Sequence, residues 1–184
     1  MSAHRVYPIE ILRPLLVVIC VVGLLFTLRD DAMRACAYRG LSGPIPFLVK
    51  VGADVNIGLV YAASAGETST ADLLLRHGAR VDARRGGDTG RTALMEAAAR
   101  GRLETVKLLI GKGADLEVRL PNGWTALSVA ADEGRSRAAA LLLKSGAGAD
   151  AKDRDGKTPM DIAKERGHTG VVEVLSGYKS GKPR

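Results

Sequence analysis

A period of 33 residues in the second half of the chain constrains the fold more than any other feature. The tripeptides TAL, TAL and TPM begin at Thr92, Thr125 and Thr158, and a glycine follows each of these threonines nine residues later. A fixed period of this size is typical of a solenoid, because no single unit can bury its apolar face and neighbouring units must stack. The period therefore predicts a chain that holds partners on an extended surface.

Each unit is predicted to contain two short antiparallel helices. In the clearest unit, the hydroxyl of Thr92 can cap the first helix, and Gly101 ends that helix where a positive φ is expected. Only Arg102 separates Gly101 from the next apolar residue, so the second helix must return alongside the first. The apolar positions predicted for the two helices are Leu94, Ala97, Ala98, Leu103, Val106, Leu108 and Leu109.

These units resemble ankyrin repeats. The matching strings are RTALMEAAARGRLETVKLLIGKGADLE at residues 91–117, NGWTALSVAADEGR at 122–135 and DGKTPMDIAKERGHTGVVEVL at 155–175. The resemblance covers about residues 31–176 and is stronger in the last three units than in the first two. It implies an all-α ankyrin-repeat solenoid of stacked helix-turn-helix units, with projecting hairpin loops and a concave face that grips other proteins.

Two departures from the pattern concern the loops. Seven residues are missing between Asp54 and Leu59, where we expect no projecting finger, and the loop 84–91 carries two extra residues. In the first unit, Asp31 is expected to be the helix N-cap, with Met33, Cys36 and Ala37 facing inward. The predicted bounds are 1–8 for an N-terminal tail, 9–28 for a transmembrane helix, 31–176 for the repeat domain (units at about 31–56, 57–83, 84–117, 118–151 and 152–176) and 177–184 for a basic disordered tail.

An apolar run near the N-terminus has the properties of a membrane segment. Residues 15–28, LLVVICVVGLLFTL, carry no charge, and extension back to Ile9 gives twenty residues, close to the length that spans a bilayer. Arg13 would lie near the end of such a helix and reach the headgroups. We therefore predict a single-pass transmembrane helix over residues 9–28. The basic residues on its two sides lean slightly towards a cytoplasmic repeat domain.

Two other interpretations of this run are open. A cleaved signal peptide has an apolar core of similar length, and the string ACA at 35–37 resembles a cleavage site. That site lies seven residues beyond Leu28, and cleavage there would cut into the first unit. The third interpretation is a buried core helix, but no other segment is long enough to cover such a helix on all sides. We prefer the retained anchor.

No residue pattern in the chain predicts catalysis or metal binding. The two cysteines, Cys20 and Cys36, offer neither a disulfide framework nor a metal-binding spacing, and none of the three histidines lies at ligand spacing from a cysteine or a carboxylate. The GKT string at 156–158 lacks the first glycine of a phosphate-binding loop. We predict no catalytic, cofactor-binding or metal-binding residue, no cofactor and no small-molecule substrate, and hence a protein that is not an enzyme.

The charge of the chain is compatible with two functional hypotheses. The net charge is +7, but the charges are mixed in sign and spread along the chain, as on an ordinary solvated surface. The favoured hypothesis is a membrane-tethered, non-catalytic scaffold or adaptor that binds another protein, with no nucleic acid expected. The alternative is an electrostatic binder of anionic lipid or nucleic acid through a basic repeat surface.

Candidate partner-binding residues lie at loop tips and at outward positions of the first helices, as the resemblance to ankyrin proteins implies. Trp124 has two interpretations, since its ring can pack against the adjacent turn or anchor a partner, and we prefer packing. The arginine-rich tips of the third unit suit a partly acidic partner. The full set is Tyr61, Ser64, Arg85, Asp88, Arg91, Glu96, Arg100, Trp124, Asp132, Glu133 and Lys157.

Overall fold

The computed structural model describes residues 28–86 and 90–178, and these ranges contain ten helices in five successive pairs. Helix α1 occupies residues 28–38. The others are α2 (Ile45–Lys50), α3 (Val55–Ala65), α4 (Thr68–Arg76), α5 (Ala93–Ala99), α6 (Leu103–Gly111), α7 (Ala126–Asp132), α8 (Ser136–Lys144), α9 (Pro159–Glu165) and α10 (Thr169–Gly177). A tight turn joins the two helices of each later pair, and residues 39–44 join those of the first pair, so the two helices of a pair run antiparallel.

The pairs stack into a solenoid with two layers of helices. Helices α3, α5, α7 and α9 contact one another in series, and α4, α6, α8 and α10 do the same behind them. Every residue of α5 is buried, and four of its seven residues are alanines. Such small side chains let neighbouring helices approach closely, which is how a chain with 4% aromatic residues still forms a continuous core. The described ranges contain no strand, only an isolated antiparallel bridge between Arg84 and Thr92.

The predicted caps form in the last three pairs. The hydroxyl oxygens of Thr92, Thr125 and Thr158 accept hydrogen bonds from the backbone N–H three residues on, at 3.3–3.4 Å. Each satisfies one of the backbone donors that a helix start leaves unpaired. The 33-residue period therefore marks the start of the first helix in each of these three pairs.

The side of the solenoid where α3, α5 and α7 end is held by side chains of the following pair. The Nε atoms of Arg102 and Arg135 donate to the carbonyl oxygens of Ser64 and Ala99, at 3.4 and 2.8 Å. In the last pair His168 takes the same position, and its Nε2 lies 2.9 Å from the carbonyl oxygen of Asp132. The guanidinium groups suit the partial negative charge at a helix C-terminus. The His168 contact gives that residue a structural role at the end of α7.

The burial of α6 differs in part from the sequence expectation. Val106 and Leu109 are fully buried, whereas Leu103 and Leu108 are only half-buried. Positions three apart share one helix face, and here that face points into the stack. Only half of the predicted apolar positions of this helix therefore form core.

The first pair departs from the expected cap. Residues 28–30 are already helical, so Asp31 lies inside α1 and is not its N-cap. Its carboxylate is instead paired with the Arg34 guanidinium at 2.8 Å, one turn further along the helix. Met33 and Ala37 are fully buried as predicted, and Cys36 is half-buried.

The connection between the first and second pairs has no projecting finger. Helix α2 ends at Lys50, and Asp54 caps α3 by accepting hydrogen bonds from the backbone N–H groups of Asn56 and Ile57 at 2.8 and 3.4 Å. Helix α3 therefore starts directly after the short connection 51–54, and no residues remain to form a finger. The expectation drawn from the short spacing is confirmed.

No helix within the described ranges has the length and apolar composition needed to cross a membrane. The predicted span 9–28 lies outside those ranges except for Leu28. The N-terminal tail, Asp88 and all but the first two residues of the basic tail are outside them as well.

Candidate partner-binding surface

The connections before α5, α7 and α9, here called fingers, are tied to one another. The Arg84 guanidinium donates to the carbonyl oxygen of Arg119 at 3.0 Å, and the Arg119 guanidinium donates to that of Lys152 at 2.7 Å. Each finger is therefore held by its neighbour. A loop that is fixed before a partner arrives loses little entropy on binding.

The first depression on this surface is the arginine pocket, which lies between the first and second fingers. Its volume is about 660 Å³. Among the residues that the structure describes, three arginines line it, and the one carboxylate belongs to Glu96, which is 7% exposed. The described lining is therefore electropositive. Its lining consists of Arg85, Gly90, Arg91, Glu96, Arg100, Leu120, Pro121 and Asn122.

The guanidinium groups of the arginine pocket are only lightly engaged. Arg100 Nε lies 3.8 Å from Glu96 and Arg91 lies 3.8 Å from Glu133, both beyond hydrogen-bond distance. Arg85 sits over the ring of Tyr61, with 5.6 Å from its guanidinium carbon to the ring centroid. Since each guanidinium carries five N–H donors, these contacts fix the arginines while leaving donors for a carboxylate.

The second depression, the aspartate pocket, shares Asn122 with the first and has a volume of about 340 Å³. Four carboxylates and two cations line it. Asp132 pairs with Arg166 at 2.6 Å and Lys157 pairs with Glu165 at 2.8 Å. The excess of carboxylates makes this pocket electronegative. Its lining consists of Asn122, Trp124, Asp132, Asp153, Asp155, Lys157, Ile162, Glu165 and Arg166.

The carboxylate of Asp153 is fixed by several donors. Burial alone would raise the pKa of Asp153, but hydrogen bonds from the Lys157 backbone, the Trp124 indole and the Asp155 backbone outweigh it, so the pKa is lowered. The hydrogen bond with Glu165 raises the pKa of Lys157. Both groups therefore carry their full charge near neutral pH.

Trp124 packs against the adjacent finger and is partly exposed. Its indole Nε1 donates to Asp153 Oδ2 at 3.1 Å, so the ring joins the second finger to the third. The side chain is only half-buried and also lines the aspartate pocket. The ring thus packs against the adjacent turn and remains accessible at the surface.

Most of the candidate residues gather at these two pockets. Four line the arginine pocket and three line the aspartate pocket, while Tyr61 and Glu133 contact arginines of the former. Ser64 is 5% exposed, so its side chain offers almost no surface to a partner. Asp88 lies outside the described residues.

Several residues that line the pockets were not predicted as binding residues from the sequence: Leu120, Pro121, Asn122, Asp153, Asp155, Ile162, Glu165 and Arg166. The repeat period could have found some of them. Asp155 lies 33 residues after Asn122, as the candidate Lys157 lies 33 residues after Trp124. No sequence signal identified Leu120 and Pro121. Residue type alone does not distinguish an apolar loop residue that lines a surface pocket from one that packs in the core.

In the part of the chain that the structure describes, no three side chains of the His, Cys, Asp and Glu types are grouped to hold a metal ion. In the aspartate pocket, two ion pairs and the hydrogen bonds to Asp153 engage most of the charged groups, whereas the guanidinium groups of the arginine pocket keep free donors.

A family model of three ankyrin repeats matches residues 32–119 and again residues 101–182. These matches cover most of the chain, and they agree with the stacked helix pairs and linked fingers. The protein belongs to the ankyrin-repeat family. Proteins of this family are typically non-catalytic, and the ankyrin repeats indicate a module for protein–protein interaction here.

Proposed function

We propose that this protein is a membrane-tethered, non-catalytic adaptor that holds a partner protein across the arginine and aspartate pockets. The observation that carries the proposal is the convergence of candidate residues from three successive units on two adjoining pockets. Pockets built from separate units provide a surface that no single unit possesses. The fingers around them are already tied together, which favours binding without rearrangement.

The opposite charges of the two pockets suggest the chemistry of the partner. An acidic side chain would fit the arginine pocket, and a basic side chain would fit the aspartate pocket. Because neighbouring helices pack about 8–10 Å apart and an extended chain advances about 3.3 Å per residue, the two groups would lie about three residues apart. The proposed partner therefore presents an extended segment with an acidic and a basic residue at that separation.

The membrane part of the proposal rests on the composition of residues 9–28. Twenty mainly apolar residues suit a single-pass helix, and tethering would raise the concentration of a bound partner near the bilayer. Proteolysis of intact and opened vesicles, with detection of the C-terminal tail, tests both retention and sidedness. A soluble species that lacks residues 1–37 would refute the anchor.

The alternative of an electrostatic binder draws less support. Arg84, Arg102, Arg119 and Arg135 all donate to backbone carbonyl oxygens of a neighbouring pair. These four arginines thus have a structural use, because they hold neighbouring pairs together. A nucleic-acid or lipid binder should lose affinity steeply as salt rises, whereas a partner held in two opposite-charge pockets should respond less.

The binding proposal is tested by charge reversal within and outside the pockets. Arg85→Glu and Arg91→Glu change the arginine pocket, and Arg137→Glu changes an exposed arginine of α8 that lines neither pocket. Proteins captured by cross-linking to the wild-type chain are identified, purified and titrated against each variant.

We expect both pocket variants to bind such a partner at least about tenfold more weakly, equivalent to about 1.4 kcal/mol, with Arg137→Glu unchanged. Equal binding by all four proteins would refute the pocket as the contact site. Melting curves of the variants, followed by circular dichroism, verify that each is folded.

A further inference from the structure

The large apolar side chains that are mostly exposed within the described ranges all belong to the first helix pair. They are Leu28, Tyr38, Leu41, Phe47 and Val51, and Phe47 is the most exposed at 67%. An exposed cluster of apolar side chains marks a surface that meets something other than water.

These five residues divide into two sets at opposite ends of the pair. The Arg29 guanidinium donates to the carbonyl oxygen of Val51 at 3.3 Å, which places the end of α2 beside the start of α1. Phe47 lies one turn before Val51, on the same face of α2. Leu28, Phe47 and Val51 thus form what we call the entry patch. Tyr38 lies at the other end of α1, about 15 Å from Leu28 at 1.5 Å per residue, and Leu41 lies beside that end, where its N–H donates to the carbonyl oxygen of Cys36.

We propose that the entry patch is inserted into the headgroup layer of the bilayer and fixes the orientation of the solenoid. The inference rests on the proposed membrane segment 9–28. That apolar run ends at Leu28, which is already part of α1, so no spacer separates the run from the repeats. The first helix pair must therefore begin at the point where the chain leaves the hydrocarbon core of the bilayer.

The dimensions agree with this placement. The headgroup layer is about 5–7 Å thick on each side of the hydrocarbon. Phe47 is four residues from Val51 and thus about 6 Å along α2, within that layer. Phe and Leu side chains of membrane-surface helices are buried at this boundary, and the adjacent exposed Lys50 can reach lipid phosphates. Tyr38 and Leu41 lie well beyond it.

The chain offers a direct measurement because it has one tryptophan, Trp124. In a Trp124→Phe background, Phe47→Trp reports on the entry patch and Leu41→Trp is the matched control, since Leu41 is also about half exposed. The full chain is reconstituted in phosphatidylcholine–phosphatidylglycerol vesicles that contain lipids brominated near the glycerol. We expect at least twofold quenching and a blue-shifted emission for Phe47→Trp, with neither effect for Leu41→Trp.

The outcomes separate the patch from the tether. If the chain floats with the vesicles but Phe47→Trp is not quenched, the entry patch is refuted while the tether stands. A blue-shifted but unquenched emission means that protein covers the patch, either a second copy or residues 1–27, and also refutes the inference. If the chain does not float, the tether and the inference both fail. Should Trp124→Phe impair folding, both substitutions are measured with Trp124 retained and its wild-type quenching subtracted.

Discussion

In the last three helix pairs a threonine caps each first helix and a tied finger precedes it, whereas no finger separates the first pair from the second. Helix α2 has Pro44 at its N-cap, and the chain passes to α3 within four residues. The later pairs up to α8 are covered on both sides, but within the described ranges the first pair has a stacked neighbour only on one side. The period therefore describes the pairs that fingers connect, whereas the first pair, which joins the stack without a finger, departs from it.

The largest expected effect concerns cooperativity along the stack. Leu109 is fully buried in the third pair, so Leu109→Ala should lower the free energy of unfolding by about 3 kcal/mol. Ile45 is equally buried in the first pair. Its truncation to alanine should mainly unfold that end of the stack, because a solenoid is stabilised by contacts between neighbours. Urea unfolding with hydrogen exchange distinguishes them. Uniform loss of protection in both variants would show that the first pair is no different from the rest. Half-buried Leu108→Ala is the control and should cost clearly less than Leu109→Ala.

The turn glycines of the later pairs provide the second test. Gly134 has a φ of 65°, and a Cβ there would lie 2.8 Å from His168 Nδ1. Gly134→Ala should therefore cost more than the about 1–2 kcal/mol of the left-handed conformation alone. Gly146 also has a positive φ but open space around it, so Gly146→Ala should show the conformational cost by itself. Equal melting temperatures for the two variants would mean that the His168 contact does not constrain the stack.

A smaller effect is expected where the two regions join. Glu67 approaches Gly40 as Arg102 approaches Gly66, so a carboxylate replaces a cation at the end of α1. Because a helix C-terminus favours positive charge, Glu67→Arg should stabilise the first pair by about 0.3–1 kcal/mol. Hydrogen exchange of the amides of α1 and α2 measures this locally. Unchanged or faster exchange would contradict the role assigned to the guanidinium groups at the ends of α3 and α5.

The smallest expected effect is a dependence on pH in the last finger. The pKa of Asp153 is lowered from 3.8, so its charged form stabilises the fold fully above that value, and this contribution is lost as pH falls through the folded-state pKa. The free energy of unfolding should thus be level above about pH 5 and decline below about pH 4, and Asp153→Asn should make the decline shallower. Chemical unfolding at several pH values, followed by the fluorescence of Trp124, provides the measurement. An identical decline in the variant would show that Asp153 does not contribute.

The sequence by itself determined the all-helical repeat and the helix starts at Thr92, Thr125 and Thr158, because capping and helix-ending residues act through neighbours a few positions away. It also placed most candidate residues, since repeated units present equivalent positions on one side of a solenoid. Only the tertiary structure decided that Leu109 is core while Leu108 is half-buried, and that Ser64 is covered. It also decided that arginines and carboxylates divide into two pockets of opposite charge. Those outcomes depend on which neighbour lies against each side chain. Local periodicity does not determine the packing between residues that are distant in the sequence.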